Sequence, residues 1–418
     1  MIKKFLISGL TILTLTAGVG FAQTQSVLNR FGIGNLEYSY SARKSGMAES
    51  GISVEDRDYL SGVNPASWNL LNSSRFEFGT IFNGLYVKDN TDNRFYSKGY
   101  FSGFTFGVPV YSELGISIAG GISPYSTVGY ETKTAVPSTG SGSAVIPEYT
   151  LINAGEGGLS RIFLGSSYRF NGIASIGASF EYYFGNISYK RELDFGGSGT
   201  NSKFTKTYKT KGIGTTLGLI TTDLSKDLIK IANVSGIKFG TAFSYIGYLN
   251  TDSILISNST LFADTNAYGS GKIQIPYRLT AGISFVYDEK YLFSLDFMHQ
   301  NWSNFKVDDV PDVNLASVSR VSLGAEYRVA ADGGNWDRMI YRAGLSFGTS
   351  PFKVNNNQLT ELGLYAGTSV ALARDNYLDL GIQYLRRGNV TDTFIQEDLI
   401  KVSLGLSLGE IWFVREER

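Results

Sequence analysis

The sequence predicts an all-β fold: a transmembrane antiparallel β-barrel of about fourteen strands with an irregular segment ahead of it. Three observations predict it. Apolar residues alternate with small or polar ones at period two over most of the chain. Connections between the alternating runs tend to be short and long in turn. A secretory leader opens a chain in which no later run of about 18 apolar residues exists, so any membrane crossing must be made by strands closed into a barrel.

The leader comes first. Lys3 and Lys4 are basic, Phe5 to Gly18 is largely apolar, and Gly20-Phe21-Ala22 offers a small-x-small cleavage site ahead of Gln23. The predicted domains are a signal peptide over 1–22, a plug segment over 23–74 and a barrel over 75–418. The plug segment lacks alternation. It holds Gly32, Gly34, Gly46 and Gly51, a charged cluster Glu55-Asp56-Arg57-Asp58, and ends in Asn64-Pro65-Ala66-Ser67-Trp68. A barrel of that size encloses a wide lumen, which leaks unless something fills it.

The last strand shows the period best. Ile400, Val402, Leu404, Leu406 and Leu408 share one face, and Lys401, Ser403, Gly405, Ser407 and Gly409 share the other. The pattern recurs at Ala174–Phe180, Leu279–Phe285, Phe293–Phe297 and Leu378–Tyr384. Strands are expected to begin near Arg75, Phe95, Glu113, Gly157, Gly172, Lys206, Val234, Lys272, Lys290, Ala316, Asp337, Gln358, Asn376 and Asp398.

Alternation alone also suits a soluble sandwich. The connections separate the two. Tyr111-Ser112, Asn171-Gly172, Asp288-Glu289 and Asp375-Asn376 read as tight turns. The links three–four, five–six, seven–eight, eleven–twelve and thirteen–fourteen read as longer and polar. Short turns on one side and long loops on the other are the habit of a membrane barrel. Asp223 to Asn233 breaks it, and Leu224, Leu228 and Ile231 at helical spacing predict a brief helix there. Trp412 and Phe413 close the last strand as an interfacial aromatic pair, followed by a charged tail.

Composition agrees. The chain has 418 residues with 49 Gly, 26 Tyr and 27 Phe, which suits strands and aromatic girdles. Without Lys3 and Lys4, 35 basic residues face 37 acidic ones, so a nucleic-acid partner is not expected. There is no cysteine and one histidine, His299, so thiolate metal sites, disulfides and a lipid-anchored cysteine are excluded. No partner for His299 is legible by spacing, and no enzymatic activity or cofactor is expected.

Small residues at Ser45-Gly46-Met47, acidic residues after them, and Asn64-Pro65-Ala66 before the first strand resemble the hatch of the FadL-type long-chain fatty acid transporter family. In the third strand Leu114, Ile116 and Ile118 alternate, then Gly120-Gly121-Ile122-Ser123-Pro124-Tyr125 interrupts, with a proline that cannot donate to the ladder. In that family a kink in the third strand opens a lateral hole. The resemblance spans the mature chain, including Gly165–Asn171 and Asn301–Phe305, although loop sequences do not match.

It implies a monomeric channel in the outer membrane of a Gram-negative bacterium, in contact with its lipid. A hydrophobic small molecule would collect at Ile254, Leu255, Ile256, Leu261 and Phe262, pass the shifted plug and leave sideways at Gly120, Gly121 and Pro124. The plainer readings stay open. Asn64-Pro65-Ala66 is also turn chemistry, and Pro124 also marks where a strand leaves the membrane. The lumen-parity arginines Arg169, Arg278, Arg328 and Arg342, with Glu326, form either a structural network or contacts to a ligand carboxylate. Two rivals remain: a FadL-like barrel serving as partner subunit of a protein-secretion or surface-attachment complex, and an open polar porin.

Overall fold

The computed structural model describes residues 26–410 apart from 90–92, 141–145, 171, 197–200, 227, 260–261, 329–338, 374 and 394. The predicted leader and the terminal pair Trp412-Phe413 lie outside the described residues. The strands are β1 (Asn35–Leu36), β2 (Ser74–Asp89), β3 (Asn93–Tyr111), β4 (Ile116–Val136), β5 (Tyr149–Phe170), β6 (Ala174–Asp194), β7 (Ser202–Thr221), β8 (Val234–Ile246), β9 (Tyr248–Ser259), β10 (Phe262–Gln274), β11 (Arg278–Tyr287), β12 (Tyr291–Gln300), β13 (Lys306–Val307), β14 (Val310–Pro311), β15 (Val318–Tyr327), β16 (Ile340–Val354), β17 (Asn357–Ala373), β18 (Asn376–Asn389) and β19 (Ile395–Glu410).

Fourteen of these units are barrel staves. β8 and β9 form one stave interrupted at Gly247. β10 and β11 form another, interrupted at Ile275-Pro276-Tyr277, where the proline has no N–H to give. Every neighbouring pair is antiparallel, and β19 closes on β2 from Glu410↔Ser74 to Ile395↔Asp89. Closure removes the sheet edges that lipid cannot solvate.

The outward faces carry the apolar side chains: Phe180, Ile213, Leu217, Leu295, Phe347, Leu364 and Ile400 are all exposed. Ser179, Glu181, Thr216, Ser294, Asp296, Glu326 and Asp379 point inward and are buried. The barrel is therefore inside-out relative to a soluble fold, and its exterior is a lipid surface. No helix among the described residues is long and apolar enough to cross a membrane.

Stave lengths are unequal. β4, β5, β6 and β7 have 21, 22, 21 and 20 residues, whereas β12 and β15 have 10 each. Crossing the apolar layer takes about 9–11 tilted residues. One wall therefore projects well beyond the membrane and the opposite wall only spans it. The projecting wall explains two boundary corrections. β5 begins at Tyr149, not near Gly157, and the eighth stave begins at Phe262, not near Lys272. Outside the membrane both faces of a strand are wet, so no apolar period marks it.

Two connections expected to be long are tight. Ser259 pairs with Phe262, and Asn355-Asn356 turns between β16 and β17 with φ of 49° and 66°. Asp288-Glu289 is tight as expected, with φ of 50° and 56°, the left-handed pair of a hairpin turn. Asp223 to Asn233 does not form the expected helix. The Leu224 carbonyl accepts from both Leu228 N and Ile229 N, at 3.1 and 2.9 Å, and the turn goes no further. Without a surface to bury its apolar side, a single turn does not propagate.

Candidate functional site

The lumen holds residues 26–73, which touch staves around the circumference. At the outer end, Ser26 caps a short 3-10 turn, Val27–Arg30, through Leu28 N at 3.0 Å. Leu28, Ile33 and Leu36 enter an apolar cluster with Tyr125, Val128, Leu159, Tyr183 and Leu249 from the projecting wall. Trp302, Phe305 and Leu315 enter it from the connection between β12 and β15. Trp302 and Phe305 are 2% and 1% exposed, so this connection folds inward across the mouth. Asp312 Oδ2 accepts from Gly32 N at 3.3 Å and ties the two insertions together.

In the middle, charge replaces grease. Glu326 on β15 receives Arg43 of the segment at 3.0 and 3.2 Å, Arg342 of β16 at 2.7 Å and Arg328 at 3.0 Å. Asp56 pairs with Arg43 and Arg328, both at 2.9 Å. Burial pushes the Asp56 carboxyl up, but Arg328 and Arg43 more than offset it and hold it below the ordinary range. Arg75, fully buried, donates to Asp58 at 2.6 Å and to the Arg57 carbonyl at 3.0 Å. Tyr59 Oη donates to Asp379 at 3.0 Å, and Glu77 accepts from Leu60 N at 2.7 Å. Breaking one partner of such a buried network costs on the order of 3–5 kcal/mol, because it strands the others.

Toward the tight-turn end, Asn64 caps a second 3-10 helix, Pro65–Leu70, through Ala66 N at 3.0 Å. Its Nδ2 donates to the Ile52 carbonyl at 2.8 Å, and Trp68 Nε1 donates to the Ser61 carbonyl at 2.8 Å. Close approach to the wall is possible because the wall is bare there. A Cβ on Gly177 would run into Pro65, and one on Gly218 into Asn64.

The sequence-named residues are dispersed over the barrel. Asn64, Pro65 and Ala66 are buried in the lumen against β6 and β7. Gly120 and Gly121 are paired on both sides, with Phe106 and Thr105 of β3 and with Leu164 and Phe163 of β5. The ladder between β3 and β4 ends just past them, at Phe104↔Ile122. Pro124 still pairs with Ser160, and a bulge follows between it and Ser126. The separation of the wall therefore begins beyond Ile122, one step outward of the glycine pair.

Beyond that point the segment itself takes the place of β3. Asn35 and Leu36 pair with Thr127 and Ser126 of β4, and Glu37 N donates to the Tyr125 carbonyl at 3.0 Å. On the other side Tyr100 Oη donates to Glu37 at 3.0 Å, and Ser102 Oγ to the Tyr40 carbonyl at 3.0 Å. Lys401 holds Glu37 at 2.9 Å. Residues 35–40 thus close the seam between β3 and β4.

Of the four arginines, Arg328 and Arg342 belong to the ion network. Arg169 lies at the rim, donating to the Ser112 and Glu113 carbonyls at 2.9 and 3.1 Å, away from the lumen centre. Arg278 lies 6.0 Å from the Tyr38 ring centre and lines a cavity of about 40 Å³ with Tyr38, Glu49, Asp296 and Arg320. Ile254, Leu255, Ile256 and Phe262 lie in β9 and β10, not in a loop; Leu261 lies outside the described residues. His299 contacts Ser319 at 2.9 Å. The sequence did not single out Arg43, Arg75, Glu77, Glu37 or Lys401. Inward parity on β2 and β19 was the available signal for three of them. No group of metal-binding side chains occurs among the described residues.

The family model of BamG matches residues 1–417, and the chain belongs to that family. No curated protein sequence matches it. Solved structures share the fold. The toluene transporter TodX of P. putida aligns with TM-score 0.61 at 16% identity over 90% of this chain and 100% of that one. TbuX, a toluene transporter of Ralstonia pickettii, gives 0.57 at 15% over 89% and 98%. A FadL homologue of Pseudomonas aeruginosa gives 0.58 at 12% over 90% and 98%. At these identities the likeness is one of fold, the outer-membrane barrel of hydrophobic-compound channels.

Proposed function

We propose that this chain is a closed outer-membrane barrel, plugged by residues 23–74, that works as a partner subunit of a larger surface or secretion assembly rather than as a steady-state channel. One observation supports this. Residues 26–73 contact staves on every side, and the cavities they line measure about 30 to 40 Å³ each. Small-molecule pockets run to roughly 300–1,000 Å³. A larger space, about 570 Å³, lies where β9 and β10 meet the β13–β14 hairpin and is lined by Asn250, Asp252, Lys272, Lys306 and Asp308. It is too polar for a hydrocarbon. The projecting wall adds surface outside the membrane that a simple channel does not need.

A second reading is favoured by the seam. The structural neighbours named above are toluene transporters and a FadL homologue, and the wall between β3 and β4 is completed by residues 35–40 of the N-terminal segment rather than by a stave. A passive hydrophobic channel would withdraw residues 35–40 from the seam and release its ligand there into the bilayer. Deletion of the gene separates the readings. Lost surface assembly with unchanged uptake of toluene and long-chain fatty acids supports the subunit. Lost uptake with intact assembly overturns it in favour of the channel.

A further inference from the structure

The tight-turn end of the barrel is expected to be polar, and two adjacent turns of its rim are not. The connection between β7 and β8 is a long one on that side, and its apolar side chains at 228, 229 and 231 enter no core among the described residues. Leu228 is 75% exposed, Ile231 56% and Ile229 41%. Ile173, in the adjacent turn, is 72% exposed. The two turns are tied together, since Thr222 donates to the Ile173 carbonyl through N at 3.1 Å and Oγ1 at 3.2 Å. The neighbouring turn on the other side, Asp288-Glu289-Lys290, is by contrast charged throughout. Isolated exposed apolar residues need no explanation, but a contiguous group on an aqueous rim does.

Lipid does not cover this group. Tyr287 and Tyr291, exposed outward at the strand ends, mark the interfacial girdle. Val234 pairs with Tyr287, and the Asn233 carbonyl accepts from Asp288 N at 2.9 Å, so Asn233 is level with the tip of the next turn. Residues 228–231 precede it, on the aqueous side of the girdle. Exposed Lys226 and Lys230 flank them.

We propose that Ile173, Leu228, Ile229 and Ile231 form the docking site of a periplasmic protein that presents an apolar patch rimmed by carboxylates to meet Lys226 and Lys230. This rests on the subunit reading and names where one partner binds.

The chain has no cysteine, so a single label can be placed by Leu228→Cys. In lipid nanodiscs a fluorophore there is expected to be quenched by aqueous iodide and not by doxyl-labelled phospholipid. In intact cells a photo-cross-linking residue at 228 is expected to give one adduct with a different polypeptide. That adduct should fall at least tenfold in Ile229→Asp/Ile231→Asp and severalfold in Lys226→Glu/Lys230→Glu, while the barrel keeps its heat-modifiable gel shift. Quenching by the doxyl lipid, an adduct of twice the chain's own mass, or an adduct unaffected by these substitutions overturns the proposal. If the native-gel complex survives Ile229→Asp/Ile231→Asp intact, this site falls and the subunit reading stands. If the wild type forms no complex, both fall.

Discussion

The two walls of the barrel solve opposite problems with the same strand chemistry. From β4 to β10 the strands continue past the membrane, pairing with one another in water. At β12 and β15 they stop at the membrane after 10 residues each, and the chain between them turns inward to place Trp302, Phe305 and Leu315 in the mouth. One wall builds outward and offers surface. The other builds inward and seals. A long wall gains stability from each added ladder pair, but outward of the cluster of Tyr125, Val128, Leu159, Tyr183 and Leu249 it buries little. The short wall buries large side chains, each worth about 3–5 kcal/mol against alanine. Stability and closure should therefore reside in the short wall, the segment and the cluster they share, with the outer ends of the projecting wall dispensable to the barrel.

The largest effect should come from Trp302→Ala with Phe305→Ala. Each truncation is expected to cost on the order of 3–5 kcal/mol and the pair to open the outer mouth. Single-molecule conductance in a planar bilayer would rise from near silence to a steady open level, and an unchanged silent barrel would deny the cap its sealing role. Next is Glu326→Ala, which leaves Arg43, Arg328 and Arg342 without their shared carboxylate and should cost about 3–5 kcal/mol. Limited proteolysis would then cut within residues 26–73, where the wild type resists. Gly177→Val should push Asn64-Pro65 from β6, a local displacement of smaller consequence, read as new protease sensitivity confined to residues 61–70.

Glu49 gives a subtler test. Burial holds its carboxyl above the ordinary range, although Arg320, Lys401 and Lys44 oppose the shift. The docked segment therefore binds this proton more tightly than the released one. Docking is fullest below the ordinary glutamate pKa and weakens as pH rises through the raised value. Glu49→Gln should strengthen docking at pH 8 and change nothing at pH 4, as measured by protease resistance across pH. The smallest effect should follow from trimming β6 and β7 outside the membrane, replacing residues 190–205 with a tight turn. The barrel should fold with little change in its thermal transition. A collapse comparable to the Trp302 and Phe305 pair would break the contrast between the walls.

The sequence by itself determined the barrel. Period two in β17 to β19 places Leu364, Ile382 and Val402 toward lipid and Asp379 and Lys401 inward, and lipid on one side enforces that pattern residue by residue. The number of staves was legible for the same reason, as was the tight turn at Asp288-Glu289. Where water replaces lipid, as in the outer halves of β5 and β10, nothing enforces the alternation, and the strand starts were misplaced. The inward-folding loop at Trp302 and the pairing of Asn35–Leu36 with Ser126–Thr127 join residues far apart in the chain. No local pattern encodes such contacts. Arg43 meets Glu326 only because closure of the barrel brings β15 opposite the segment. Only the tertiary structure decided that the seam past Ile122 is filled by the chain's own N-terminal stretch, because that depends on which wall the threaded segment reaches.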